Sequence, residues 1–270
     1  METIFKQFSS IKQFNDYLSA GKTLAGWGET AALECSKSAF DFTKTNSYDE
    51  ANDLLIYGDK KLQRKIENAG VAKTRVEVQK TAVRRTILTS VVGCAPHVPN
   101  YIAGTPNAMI FEKRAKVKQR VLNVFYNVAV CGDTSPRKIT QAAANFISAC
   151  LMIESGGVKM NIYTGSVSED SGQRVGFMVK VKDSGQPFDT LRMSYPLAHP
   201  SMNRRHKFRF LEVTDGVRTS WSCGYGYRCT DDEATDFFNK QRINFDAVLN
   251  FESIDGWDAE GIAKMIMKKK

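Results

Sequence analysis

The sequence predicts an α/β protein, with an open sheet in its C-terminal half and a mostly helical region before it. Three observations carry this. Residues Val121–Val130 are almost all apolar or β-prone, as in a strand covered on both faces. Ser135-Pro136 then open a segment where Ile139, Ala142, Ala143, Phe146, Ile147 and Cys150 recur at helical spacing. Beyond Gly156-Gly157, Val158, Met160 and Ile162 alternate as a second strand. Strand, helix and strand in succession make a βαβ unit, which is right-handed by rule.

The elements follow in order. Within residues 1–92, Ser10 with Gln13 and Ser47 with Glu50 have the spacing of helix-capping pairs. Leu54, Leu55, Leu62 and Ile66 fall near one helical face, interrupted at Gly58. Residues 71–92 carry both readings: TRVEVQKTAV alternates like a strand, and RRTILTSVV extends it. Residues 93–117 are a connector, GCAPHVPNYIAGTPNAMI, followed by basic residues. Each proline pushes its predecessor toward extended geometry, so no helix is expected through 95–106. The connector reads as a strap pinned across the core by Val98, Tyr101, Ile102, Met109 and Ile110.

Residues 118–270 form the core. After the βαβ unit, RVGFMVKVK (174–182) is a third strand, expected to run antiparallel. Pro187, Pro196 and Pro200 punctuate a loop-rich stretch, and KFRFLEV and VRTSWS read as short strands or strand-helix fragments. Thr230 with Glu233 caps a helix whose early acids suit the macrodipole. FDAVLNF (245–251) is another buried strand, and Ala259, Ile262, Ala263 and Ile266 mark a last helix.

Composition narrows the function classes. The chain has 270 residues, 42% of them hydrophobic, and a formal net charge of +9. That charge favours polyanionic partners but does not bear on fold. No apolar run approaches the ~18 residues of a membrane span. METIFKQFSSIKQF lacks the layout of a signal peptide, so a cytoplasmic protein is expected. Six scattered cysteines without a C-x-x-C pair suit reduced thiols. Cys223 and Cys229 are the closest pair, readable as free thiols, a redox pair or half a zinc site; no second pair or nearby histidine supports zinc.

The order of elements from Val121 resembles the von Willebrand factor A-like domain, a Rossmann-type open sheet. That family carries D-x-S-x-S-G at the end of its first strand, where this chain reads Asn127-Val-Ala129-Val-Cys131-Gly132. The family's T-D-G after its fourth strand corresponds to Ile254-Asp255-Gly256. The frame fits, but the ligands at 127, 129 and 131 do not. Magnesium wants hard oxygen donors, usually including carboxylate. Asn127 offers a neutral carbonyl, Ala129 nothing and Cys131 soft sulfur. A degenerate site without metal is therefore expected. Asp133, Thr134 and Ser135 either cap the following helix or form a displaced site. The whole chain is also similar to a family encoded mainly by bacteriophages, through YDEANDLLIYGDKKL (48–62), P-H-V-P-N-Y-x-x-G-x-P (96–106) and V-x-N-V-x-Y-N (121–127). That resemblance implies a phage origin and no particular activity.

Candidate chemistry is sparse. His97, between prolines, and Asp133 are the catalytic candidates, without a G-x-S-x-G elbow or a cysteine-protease motif beside them. No G-x-x-x-x-G-K-[ST] loop is present, and CGYGYR reads as a hairpin turn. In MNRRHKFRF, a strand would align Arg205, Lys207 and Arg209 on one face beside Arg204, a row able to track phosphates. Lys113, Arg114, Lys116 and Lys118 add charge elsewhere. The expected function is non-enzymatic recognition at the rim where the parallel strands end. Cys131, Asp133, Thr134, Ser135 and Asp255 would line that rim, in loops 131–136, 183–206 and 255–258. A protein partner or self-assembly is expected, with no cofactor, metal or membrane. Single-stranded nucleic-acid binding and a hydrolase or nuclease are the alternatives.

Overall fold

The computed structural model describes residues 2–24, 30–71, 85–114, 120–218 and 225–268. The elements begin with β1 (Glu2–Phe8), α1 (Ile11–Ala20), α2 (Lys37–Thr43), α3 (Tyr48–Tyr57) and α4 (Lys60–Val71). Next come β2 (Arg85–Ser90), β3 (Ala95–Pro96), α5 (Val98–Ile102) and β4 (Met109–Arg114). Then follow β5 (Val121–Asn127), α6 (Pro136–Ser155), β6 (Lys159–Asp170), β7 (Gln173–Lys182) and α7 (Thr190–Ala198). A π-helical turn, Met202–Lys207, leads directly into α8 (Phe208–Val213). The chain closes with β8 (Tyr227–Arg228), α9 (Asp231–Lys240), β9 (Ala247–Asn250), α10 (Phe251–Ile254) and α11 (Ala259–Lys268). Two compact units emerge: Met1–Val76 with Val121–Lys270, and Glu77–Arg120.

The larger unit is an α/β layer structure around a mostly parallel sheet in the order β1-β7-β6-β5-β9, with β8 pairing β6. β5 runs parallel to β6 and β9, β7 antiparallel to β6, and β1 parallel to β7. Both faces of β5 are buried, as its largely apolar, β-prone run predicts. Val124 and Tyr126 join the cluster that includes Phe146 and Cys150 of α6, and Tyr126 stacks on Phe146 at 4.8 Å. Phe125 points the other way, into Phe238 of α9 at 4.5 Å. Burying rings of this size contributes roughly 1.5–3 kcal/mol each.

Local signals set several boundaries. Ser10, Ser47 and Thr230 each accept a backbone N–H as helix caps, and Thr230 with Glu233 closes a full capping box. Gly58, at φ +80°, separates α3 from α4. Four expectations need correction. β1, read from sequence as part of a helical region, is an edge strand of the central sheet. α5 forms within 95–106, because Pro99 sits in its first turn, where a missing N–H costs nothing. KFRFLEV is helical. Met202, Arg205, His206, Phe210 and Val213 are buried at three- and four-residue spacing, and that outweighs the short alternation. Val98, Tyr101 and Ile102, expected to be covered, are exposed within the smaller unit. All of TRVEVQKTAV, most of VRTSWS, and Cys223 lie outside the described residues.

Candidate strand-end rim

Because β5, β6 and β9 are parallel, their C-terminal portions gather on one rim. Asn127, the last residue of β5, stands in register with Gly165 of β6 on one side and Asn250 of β9 on the other. Gly165 is required there: a Cβ would sit 2.0 Å from the carbonyl oxygen of Phe177. Asn127 is buried, and its Oδ1 accepts the Ala129 N–H at 3.0 Å. Its Nδ2 is buried without a hydrogen-bond partner among the described residues, as is Oδ1 of the buried Asn203. Asn250 accepts from Ser253 N–H at 2.9 Å and starts α10 through a reciprocal capping box.

This corrects the placement of the fourth-strand motif. β9 ends at Asn250, and Asp255 lies beyond α10, exposed, at the C-cap. The neighbouring Trp257 carbonyl accepts from Asn145, midway along α6, so this loop runs down the helix. The residue beside Asn127 is thus a second amide rather than a carboxylate. The N-x-x-S spacing at 250–253 is the signal in the sequence that marks this strand end.

The loop after β5 is held by two arginines. Arg204 Nη2 donates to Gly132 O at 3.3 Å, its guanidinium 4.2 Å from the ring centre of Phe42. Arg228 Nε donates to Cys131 Sγ at 3.4 Å and pairs with Glu252 Oε1 at 2.6 Å. Since β8 pairs β6 at Ser168 and Glu169, Arg228 connects β6, the β5 loop and α10 after β9. Partial burial raises the Glu252 carboxyl above its usual range. Asp133 is exposed, and Thr134 N–H closes a turn onto Cys131 O at 3.1 Å. Ser135 is the N-cap of α6, but its hydroxyl makes no capping bond. The first turn holds Arg137 and Lys138, both exposed, and no acid.

The remaining candidates are dispersed. Arg205 is fully buried and binds the interior: Nε donates to Thr45 Oγ1, Nη2 to Thr45 O, and Nη1 to the carbonyls of Ala32 and Glu34. Lys207 is buried, its Nζ 5.7 Å from the Phe208 ring centre. Arg209 donates to Gly21 O and Thr23 Oγ1 and pairs with Glu212 at 3.7 Å. The expected basic row is therefore not formed. Lys113 and Arg114 end β4, opposite Thr86 and Arg85, while Lys116 and Lys118 lie outside the described residues. His97 is the N-cap of α5, its Nδ1 accepting Asn100 N–H at 3.4 Å. It falls in the smaller unit and Asp133 in the larger. His199 and His206, buried behind α7, are pushed down by burial to about 4 and about 3.

The donors around Asn127 do not suit a hard divalent cation. They comprise the engaged amides of Asn127 and Asn250, a thiol, two guanidinium groups and a single carboxylate, Glu252, already paired with Arg228. Among the described residues, no three His, Cys, Asp or Glu side chains gather to hold a metal. No described helix is long and apolar enough to cross a membrane.

Fold and rim together define an open α/β protein whose strand ends present hydrogen-bond donors. Residues 2–270 match the domain of unknown function DUF7192, and the chain belongs to that family. No curated protein and no solved structure matches it.

Proposed function

We propose that this is a phage-encoded, non-enzymatic recognition protein of the infected cell's cytoplasm, built on a von Willebrand A-like core whose rim binds acidic groups of a protein partner. The order β7-β6-β5-β9, with β7 antiparallel, supports the A-like reading: numbered from β5, it is the 3-2-1-4 half of a doubly wound sheet.

One observation carries the binding reading. α6 begins with two exposed cations, no acid and no side-chain cap. The dipole already makes a helix N-terminus positive, so cations there are unfavourable locally. Such local conflicts concentrate at functional sites. With Arg204 bonded to the same loop, the rim is a positive, donor-rich surface matched to carboxylates.

The test exploits the sign of that conflict. Arg137→Glu with Lys138→Glu should stabilise the fold by about 0.5–1 kcal/mol, because acids suit the helix start. The same change should abolish partner capture from bacterial lysate, and EDTA should leave wild-type capture unchanged. Capture that survives the double substitution sinks the proposal. Wild-type binding to single-stranded DNA that falls steeply with salt would assign the rim to phosphates instead.

A further inference from the structure

The central sheet has a second place where parallel strands end side by side. β1 runs parallel to β7 and stops at Phe8, opposite Val179, while β7 continues to Lys182. Residues 180–182 therefore border a notch, which the chain leaves at Ser9 to begin α1. Because β7 is antiparallel to β6, this notch lies at the other end of the sheet from Asn127. It opens into a cleft of about 730 Å³, bounded by the start of α1, the end of β7, Leu55 and Ile56 of α3, and Arg192 of α7. These residues all belong to the larger unit. Small-molecule sites occupy roughly 300–1,000 Å³, and open α/β sheets place them beyond the carboxyl ends of their strands.

The polar groups of the cleft differ in how far they are committed. Lys182 is buried, its Nζ bonded to Glu154 Oε1 at 2.6 Å and to the carbonyls of Met160 and Asp183. Lys12 and Arg192 are 84% and 77% exposed and pair with Asp16 at 3.3 Å and Asp189 at 3.5 Å. Exposed pairs of this kind hold weakly, so both cations can turn to a stronger anion. At the start of α1, Ser10 Oγ accepts Gln13 N–H and Gln13 Oε1 accepts Ser9 N–H. The Ile11 and Lys12 N–H groups between them have no acceptor among the described residues, and the first turn has no acid. One turn on, Asn15 lines the cleft with its Oδ1 buried and unpartnered among the described residues. Free N–H groups beside exposed cations call for an anion. An orphaned acceptor calls for an O–H or N–H donor. We propose that this cleft binds a hydroxylated phosphate monoester, of the sugar-phosphate class. Its phosphate takes the Ile11 and Lys12 N–H groups with the side chains of Lys12 and Arg192, and one of its hydroxyls donates to Asn15 Oδ1. Residues 11 and 15 are neighbours on one helix face, about 5–6 Å apart, a separation that the phosphate and a hydroxyl of one such molecule span.

The experiment is isothermal titration calorimetry on the full chain at low salt, with ribose 5-phosphate, inorganic phosphate and ribose as separate probes. The expected result is ribose 5-phosphate binding at least tenfold more tightly than inorganic phosphate, with no measurable binding of ribose. Lys12→Glu with Arg192→Glu should abolish binding of both phosphate-bearing probes with unchanged circular dichroism, since both side chains are exposed. Asn15→Ala should reduce the ester to the affinity of inorganic phosphate and leave inorganic phosphate itself unchanged. A wild type that does not bind ribose 5-phosphate overturns the proposal, as does binding that survives the charge reversal at 12 and 192. Equal affinity for ester and inorganic phosphate, or an ester affinity unmoved by Asn15→Ala, overturns the ligand class. Arg137→Glu with Lys138→Glu should leave all these affinities as in wild type; a loss there assigns the anion to the rim and overturns the cleft. Failure of the rim to capture a protein partner leaves these expectations unchanged.

Discussion

Arg205 shows how a single residue can mislead in sequence and be decisive in the fold. Flanked by Arg204, Lys207 and Arg209, it looks like part of a solvated cationic row. Its guanidinium instead organises a segment more than 150 residues earlier, by bonding Thr45 and the carbonyls of Ala32 and Glu34. No local pattern encodes such a contact, and charge alone points the wrong way. Arg205→Ala should destabilise by about 3 kcal/mol or more in urea unfolding, because several buried acceptors lose their donor together. Arg205→Lys should recover little, since an ammonium cannot reproduce the planar fork. The two buried histidines set a pH dependence. His206 bonds Tyr195 and Asn52 while neutral, and His199 stacks on Tyr195. Their folded values of about 3 and about 4 lie below the unfolded value near 6.5. Stability from each is therefore full above about pH 6.5 and declines as pH falls toward the folded value. The slope is about 1.4 kcal/mol per pH unit for each histidine. Urea midpoints between pH 7 and 5 should fall accordingly, and a flat profile would contradict the assignment.

At the scale of elements, legibility followed locality. α6 could be read because its proline start, apolar stripe and Gly-Gly stop all lie within its own residues. β5 can be read because double burial leaves a run that is almost all apolar or β-prone. β1 could not: ETIFKQF has one fully buried side chain, Phe8, and becomes a strand only against β7. β9 is legible as an apolar run, but its end is marked by the Asn250–Ser253 cap rather than by Ile254-Asp255-Gly256. Nothing local marks Gly165, because the reason for it is a carbonyl on the neighbouring strand. Gly165→Ala should cost about 2–3 kcal/mol and disturb the register of Asn127. An amide spectrum with shifts confined to residue 165 would contradict that.

For the molecule as a whole, the sheet ties the first residues to the last half. β1 pairs along all seven residues with β7, and Arg205 and Ser201 hold the segment around Thr43–Thr45. An excised fragment 118–270 would expose the edge of β7 and bury a guanidinium without its acceptors. It should be aggregation-prone or lack cooperative unfolding, which calorimetry would reveal. The α/β class was legible because it rests on succession of elements. The end of β5 is legible in the sequence but its surroundings are not: Asn250 becomes a neighbour of Asn127 only once β5 and β9 align.

The pairing of β1 with β7 also fixes a timetable. β1 finds its partner only after residue 173 and beyond have been made. At roughly 5–20 residues per second, β1 waits on the order of ten seconds or more. Until then Phe5 and Phe8 have no sheet to join. Slowing translation anywhere between these strands should lower the yield of folded protein more than slowing it after residue 182.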